Sequence, residues 1–242
     1  ILGDDGVASL KKWVQAGGPA ALKERLADRS VRQRIRRELH GHTALTAGVA
    51  DWTDIRLGAF TRPELMRWES ATLAHVMHET GRDAVDVICD LLLAEDLGVM
   101  QVTSGPWSET LPHFVRHPVG MVGSDSTFLG DKPSPRTYGS FPRILGQYVR
   151  DERLLSLEEA VRKMTLAPAA RLGLTDRGLL RSGYAADLVV FDAPRVRSNA
   201  PYDDPRRFPD GIAPVAVNGQ LVVDAGIHTG ALPGRELRRG SA

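Results

Sequence analysis

The chain carries a single cysteine, Cys89, in 242 residues. One thiol cannot build an internal disulfide framework, and its scarcity fits a reducing, cytoplasmic compartment. Charge imbalance is missing as well. Lys and Arg number 31 against 30 Asp and Glu, leaving a formal net charge of +1. Such a balance gives no reason to expect nucleic acid or an anionic membrane surface as partner. No apolar run reaches the roughly 18 residues of a membrane-spanning helix. No secretory signal pattern is present either. Methionine is absent from the first position, where Ile1 stands. The chain is therefore expected to be a processed subunit or a piece of a longer protein.

What is present is ordinary for a folded domain: 42% apolar and 25% charged residues. The length suffices for one large domain or two small ones. Residues 8–40 read as helices. Leu10, Trp13 and Val14, then Leu22 and Leu26, then Val31, Ile35 and Leu39 keep helical spacing, and Gly17-Gly18-Pro19 punctuates them. Arg32, Arg34, Arg36 and Arg37 form either an anion-binding patch or, the reading favoured here, the solvated face of an amphipathic helix. His40-Gly41-His42 has zinc-type spacing but follows an arginine-rich helix end, so a glycine-capped terminus explains it better. IRLGAF (55–60) predicts a short strand, Ser70 a helix cap, and Asp83 to Leu93 a helix in which Cys89 packs as a small hydrophobe. His75 and His78 read as surface or packing residues.

From Val99 the pattern changes. VMQVT (99–103) predicts a strand, SETLPHFVR (108–116) a helix and VGMVGSD (119–125) a second strand. That order is a βαβ unit with parallel strands. Asp125 falls just past the carboxyl end of the second strand, where chemistry gathers in parallel α/β folds. It is a helix cap, a turn residue or a catalytic group. The Pro- and Gly-rich stretch that follows predicts an ordered loop carrying Arg136, Tyr138 and Arg143. Arg136 lies eleven residues beyond Asp125. Its guanidinium suits a bidentate grip on a substrate carboxylate; a salt bridge to a local acid such as Asp131 is the alternative. Ser156-Leu157-Glu158-Glu159 opens a helix as a capping box, and PAARLGL closes one at Gly173. Beyond a boundary near residue 175 the chain reads as β, with Asn218-Gly219 marking a hairpin between two apolar runs.

SLEEAVRKMTLAPAARLGLTDRGLLRSGYAADLVVFD, with VAVNGQLVVDAG after it, resembles the closing segment of the amidohydrolase superfamily. MVGSDS followed by PSPRTYGSFPRILGQYVR resembles the N-acyl-D-amino-acid deacylases (D-aminoacylases) more narrowly. Ser126 and Ser134 depart from the residues common there, Gly and His. The resemblance implies an α/β fold: the C-terminal portion of a distorted (β/α)8 metal-dependent hydrolase barrel plus a small β-sandwich. It divides the chain into a mostly helical insert (1–98), the last barrel strands and helices (99–175) and the β-sandwich domain (176–242).

The same resemblance implies zinc, with most of its ligands upstream of this chain, and an N-acyl-D-amino acid as small-molecule substrate. Zinc would activate a water. Asp125 would carry the proton from water to leaving amine and touch the metal. Arg136 would hold the substrate α-carboxylate, with help from Tyr138 unless that ring only packs. The missing N-terminal half is the implied partner, and association into a homo-oligomer is left open. Two rivals remain: a hydantoinase or dihydroorotase type of amidohydrolase, and a non-catalytic fragment or subunit that pairs with another chain.

Overall fold

The computed structural model describes residues 12–39, 51–103 and 107–238. His40 and His42, read above as a helix end, lie outside the described residues. Chain contacts divide the protein into two compact units. One comprises positions 1–108 and 127–134, the other 109–126 and 135–242.

In the first unit, apolar residues at helical spacing converge on one core. The helices are α1 (Lys12–Gln15), α2 (Gly18–Ala27), α3 (Arg29–Leu39), α4 (Leu73–Thr80) and α5 (Ala84–Ala94). Val14, Leu26, Leu73 and Val76 are essentially sealed from solvent. Each fully buried side chain of this kind contributes about 1.5–3 kcal/mol. Helix α5 starts where the Asp83 carboxylate accepts the N–H of Asp86 at 3.0 Å. Cys89 is buried on this helix, and burial pushes its thiol up to about 11.

Two of the arginines of α3, Arg32 and Arg36, are not simply solvated. Arg32 pairs with Asp86 at 3.1 Å and Asp90 at 2.8 Å, and Arg36 pairs with Asp83 at 2.8 Å and also with Asp86. They tie α3 to α5. Burial works to raise the Asp83 carboxyl, but the Arg36 hydrogen bond, the Asp86 N–H and the Arg36 charge outweigh it and hold the group below its ordinary value.

Two expectations are corrected in this unit. Helix α4 is capped by Thr72, whose hydroxyl accepts from the N–H of His75 at 3.2 Å, and not by Ser70. Ser70 donates its N–H to Leu57, and Ala71 accepts from Leu57, so this backbone is engaged before a helix can begin. The strand pairing is the second correction. β1 (Ile55–Gly58) lies antiparallel to β2 (Met100–Thr103), in register Ile55↔Thr103 through Gly58↔Met100. β2 is therefore not half of a parallel βαβ unit among the described residues.

A buried carboxylate organises the loop after β1. Glu69 accepts from the backbone N–H groups of Ala59 (3.2 Å), Phe60 (3.3 Å) and Lys132 (3.4 Å). Ala59 stands at φ 61, in the left-handed region. Gly130, at φ 68, leaves no room for a side chain, since a Cβ there would sit 2.7 Å from a Glu69 oxygen.

The second unit holds α6 (Trp107–Arg116) from Glu109 onward, α7 (Arg136–Arg143), α8 (Leu157–Met164), α9 (Leu166–Leu172) and four strands. Its core gathers Val115, Ile144, Leu145, Tyr148, Ala160 and Val196. Helix α7 replaces the loop expected at residues 136–143. Pro135 can precede a helix because a first-turn N–H has no intrahelical partner. Pro142 lies inside it and lacks the N–H its turn would use. The chain continues at once in a wider π-helical coil, Ile144–Asp151, which ends with Glu152 N–H donating to Gln147 at 2.8 Å.

Residues 119–125 form no strand, which corrects the second expected barrel strand. An apolar run becomes a strand only when a neighbour completes its ladder, and among the described residues the segment is bonded through Val122 N–H to the Lys163 carbonyl at 3.1 Å. Ser156 caps α8 by accepting from Glu159 N–H at 3.2 Å, and Gly173 ends α9 at φ 74. β3 (Leu188–Phe191), β4 (Ile212–Val217), β5 (Gln220–Asp224) and β6 (Ile227–His228) form one antiparallel sheet in that order. Asn218 at φ 47 and Gly219 at φ 79 make the tight β4–β5 turn. Among the described residues this sheet is a single layer, with Val189 and Val190 on its opposite faces 55% and 56% exposed. No described helix is long and apolar enough to cross a membrane.

Candidate functional site

Asp125 and Arg136 lie eleven positions apart in sequence, and the second unit brings their side chains together. Asp125 has φ 45, the left-handed conformation that Asp tolerates better than most residues because its short side chain can bond locally. It heads no helix. Its side chain is 91% exposed, and one oxygen lies 3.4 Å from Nη2 of Arg136. Ser124 and Ser126 flank it, with their hydroxyls 3.4 Å apart.

Arg136 is the first residue of α7, and the first turn of that helix carries no acidic residue. A helix start favours negative charge through its unpaired N–H groups. Within this unit the ion pair of Arg136 runs to Asp125. Since Arg136 is itself half-exposed, the pair contributes at most about 1 kcal/mol to stability. Tyr138 lies two residues further on, and its ring meets Phe208 edge-on, with centroids 5.7 Å apart.

Zinc requires about four donors of the His, Cys or carboxylate kind. Among the described residues no group of three or more such side chains is placed to hold a metal ion. Asp125 alone does not make a zinc centre, and the described residues do not fit a self-contained one. What the pair can do is narrower. A solvent-accessible carboxylate can exchange protons with water, and a guanidinium beside it can bind an anion.

Residues 70–223 match the amidohydrolase family, well over half of the chain. The chain belongs to the amidohydrolase family. The protein is 41% identical over 170 residues to an N-acyl-D-aspartate deacylase of Alcaligenes xylosoxydans xylosoxydans, covering 67% of this chain and 34% of that one. It is 48% identical over 122 residues to a D-aminoacylase of the same organism, covering 50% of this chain and 25% of the relative. The chain thus spans about a third or less of the curated relatives it matches.

Among solved structures, a D-aminoacylase described as defining a novel subset of amidohydrolases superposes with a TM-score of 0.68 at 28% identity, over 87% of this chain and 46% of that one. An N-acyl-D-glutamate deacylase from Bordetella bronchiseptica superposes with a TM-score of 0.63 at 31% identity, over 80% and 43%. That deacylase was solved with zinc and a phosphonate mimic of the tetrahedral intermediate. A third neighbour, with a TM-score of 0.66 at 35% identity, is a D-aminoacylase with a binuclear metal centre, over 79% of this chain and 39% of that one. In broad class, this amidohydrolase-family chain has an α/β fold.

One residue of this amidohydrolase-family chain escapes a reading by motif. Lys163 is buried at 1% exposure on α8. The available signal was its place three residues after the fully buried Ala160, although it lies beyond the edge of the stripe formed by Leu157, Ala160, Val161 and Met164.

Proposed function

We propose that this chain is the C-terminal part of an N-acyl-D-amino-acid deacylase, and that Asp125 and Arg136 belong to its active site. The observation that carries the reading is the 3.4 Å juxtaposition of an exposed carboxylate and an exposed guanidinium at the start of a helix. Relatives named for N-acyl-D-aspartate and N-acyl-D-glutamate support it, since hydrolysis of either yields an amino acid bearing a free α-carboxylate.

In this reading water attacks the acyl carbon. Asp125 accepts a proton from that water and returns it to the departing nitrogen as the C–N bond breaks. The products are a carboxylate and a free D-amino acid. Arg136, aided by the α7 start, grips the substrate α-carboxylate and so fixes which face of the amide meets the water. Tyr138 is assigned to the same wall of the site.

In the full-length protein zinc would be held mainly by ligands from the N-terminal half, with Asp125 as one contributor, and would supply activation of a water. The finer architecture follows the same reading. Residues 1–98 are an insert, 99–175 the closing part of a distorted (β/α)8 barrel and 176–242 a β-sandwich layer. A cytoplasmic location accompanies it.

The test is steady-state kinetics of the full-length enzyme. Asp125→Asn should abolish turnover with metal content largely retained, since the other ligands are assigned outside this chain, and near wild-type rates would sink the assignment. Arg136→Ala should raise KM most for substrates with a free α-carboxylate. An equal rise for carboxamide analogues would remove that role.

A further inference from the structure

Lys163 has the largest fully buried side chain among the described residues. A buried ammonium is tolerated only when its protons find acceptors. Here its Nζ donates to the carbonyl of His117, to that of Gly120 at 3.0 Å, and faces the Glu159 carboxylate at 3.6 Å. Its neighbour Arg162 donates to the carbonyl of Pro118 at 3.2 Å while holding Glu159 at 2.7 and 2.8 Å. The Lys163 carbonyl accepts from Val122 N–H at 3.1 Å. Two adjacent cations and one carbonyl therefore grip four positions of the 117–122 segment. Gly120 completes the fit, because a Cβ there would lie 2.6 Å from the Phe114 carbonyl oxygen.

We propose that Lys163, assisted by Arg162, is a positioning residue that sets where the Asp125 carboxylate stands. The segment leading to Asp125 has no strand ladder to fix it, and three residues after Val122 the chain reaches Asp125. The end of α8 does the work a ladder would otherwise do. A buried ammonium suits this task, since with water excluded its protons must find acceptors on this segment. The proposal rests on the deacylase reading of Asp125.

The experiment compares variants of the full-length enzyme with an N-acyl-D-amino acid as substrate. Lys163→Met keeps the stem and removes the donors. It should lower kcat per folded molecule about 10- to 100-fold, the effect of displacing a reacting group by about 1 Å, with KM changed less than about twofold. Lys163→Arg, which returns a cation to the socket, should run faster than Lys163→Met; an equal or lower rate counts against the proposal. A purely structural lysine would lower the thermal midpoint and leave kcat per folded molecule unchanged, and that result overturns the proposal. If Lys163→Met does not fold, Arg162→Met on the more exposed neighbour decides: a fall in kcat at constant KM supports the clamp, and an unchanged kcat refutes it. Asp125→Asn separates the two levels. An active Asp125→Asn enzyme overturns the site reading and this proposal together. An inactive one beside a fully active Lys163→Met enzyme overturns this proposal alone.

Discussion

Glu69→Ala is expected to loosen two distant stretches of sequence at once. The carboxylate accepts three backbone N–H groups, at 3.2, 3.3 and 3.4 Å, from Ala59, Phe60 and Lys132. Hydrogen bonds to a charged acceptor contribute about 1.5–3 kcal/mol each, but these are long, so the lower end applies. The Phe60 N–H is buried and would be left without a partner, whereas Ala59 and Lys132 can recover part of the loss by bonding water. The net cost of local opening should be about 2–4 kcal/mol. At about 1.4 kcal/mol per tenfold, that is a thirtyfold to thousandfold faster amide exchange. Hydrogen exchange read by mass spectrometry on peptides covering 56–62 and 127–134 measures it directly. Glu69→Gln, which keeps one accepting oxygen but loses the charge, should fall between wild type and Glu69→Ala. The reasoning is refuted if the 127–134 peptide keeps its protection, or if Gln and Ala behave alike.

Other outcomes follow from separate features. The Arg162 hydrogen bond, together with the charges of Arg162 and Lys163, lowers the Glu159 carboxyl from 4.5 to about 2. A depressed carboxyl adds stability above its unfolded value and loses it as pH falls through the folded one. Glu159→Gln should therefore melt below wild type at neutral pH, and the gap should close between about pH 4.5 and 2; a constant gap would argue against the ion pair. Asn218→Ala places a Cβ-only residue at φ 47 and removes the bond from Nδ2 to the Pro233 carbonyl at 2.8 Å. It should cost about 1–3 kcal/mol in denaturant unfolding. Cys89, with its thiol pushed up to about 11 by burial, should resist thiol reagents at pH 8 until denaturant is added; rapid labelling of native protein would contradict its burial.

Local rules predicted local structure well. Asp83, Ser156, Gly173 and Asn218-Gly219 do what their chemistry suggests, because caps and tight turns are decided by neighbours in sequence. Residues 119–125 failed for the opposite reason. Alternating apolar residues and glycines describe what a strand needs of itself, and say nothing about whether another strand lies alongside. Arg136 was expected in a loop because prolines flank it, yet Pro135 is compatible with a helix start and Pro142 is accommodated by the wider coil after it. The Asp125–Arg136 pair was legible as two residues of the right kinds; that they face each other depends on α7. Lys163 was hidden because a lysine in a helix is ordinarily solvated, and its burial follows from carbonyls contributed by a turn more than forty residues earlier.

The eleven-residue separation of Asp125 and Arg136 has a loop-closure consequence. Bringing the ends of such a segment together costs about 2 kcal/mol of chain entropy, from (3/2)RT ln n. An exposed ion pair returns about 1 kcal/mol at most. The contact therefore cannot be what closes the loop. Its ends must be delivered by their own supports, the clamped turn before Asp125 and the helix that begins at Arg136. Either partner can then part from the other without the loop coming open.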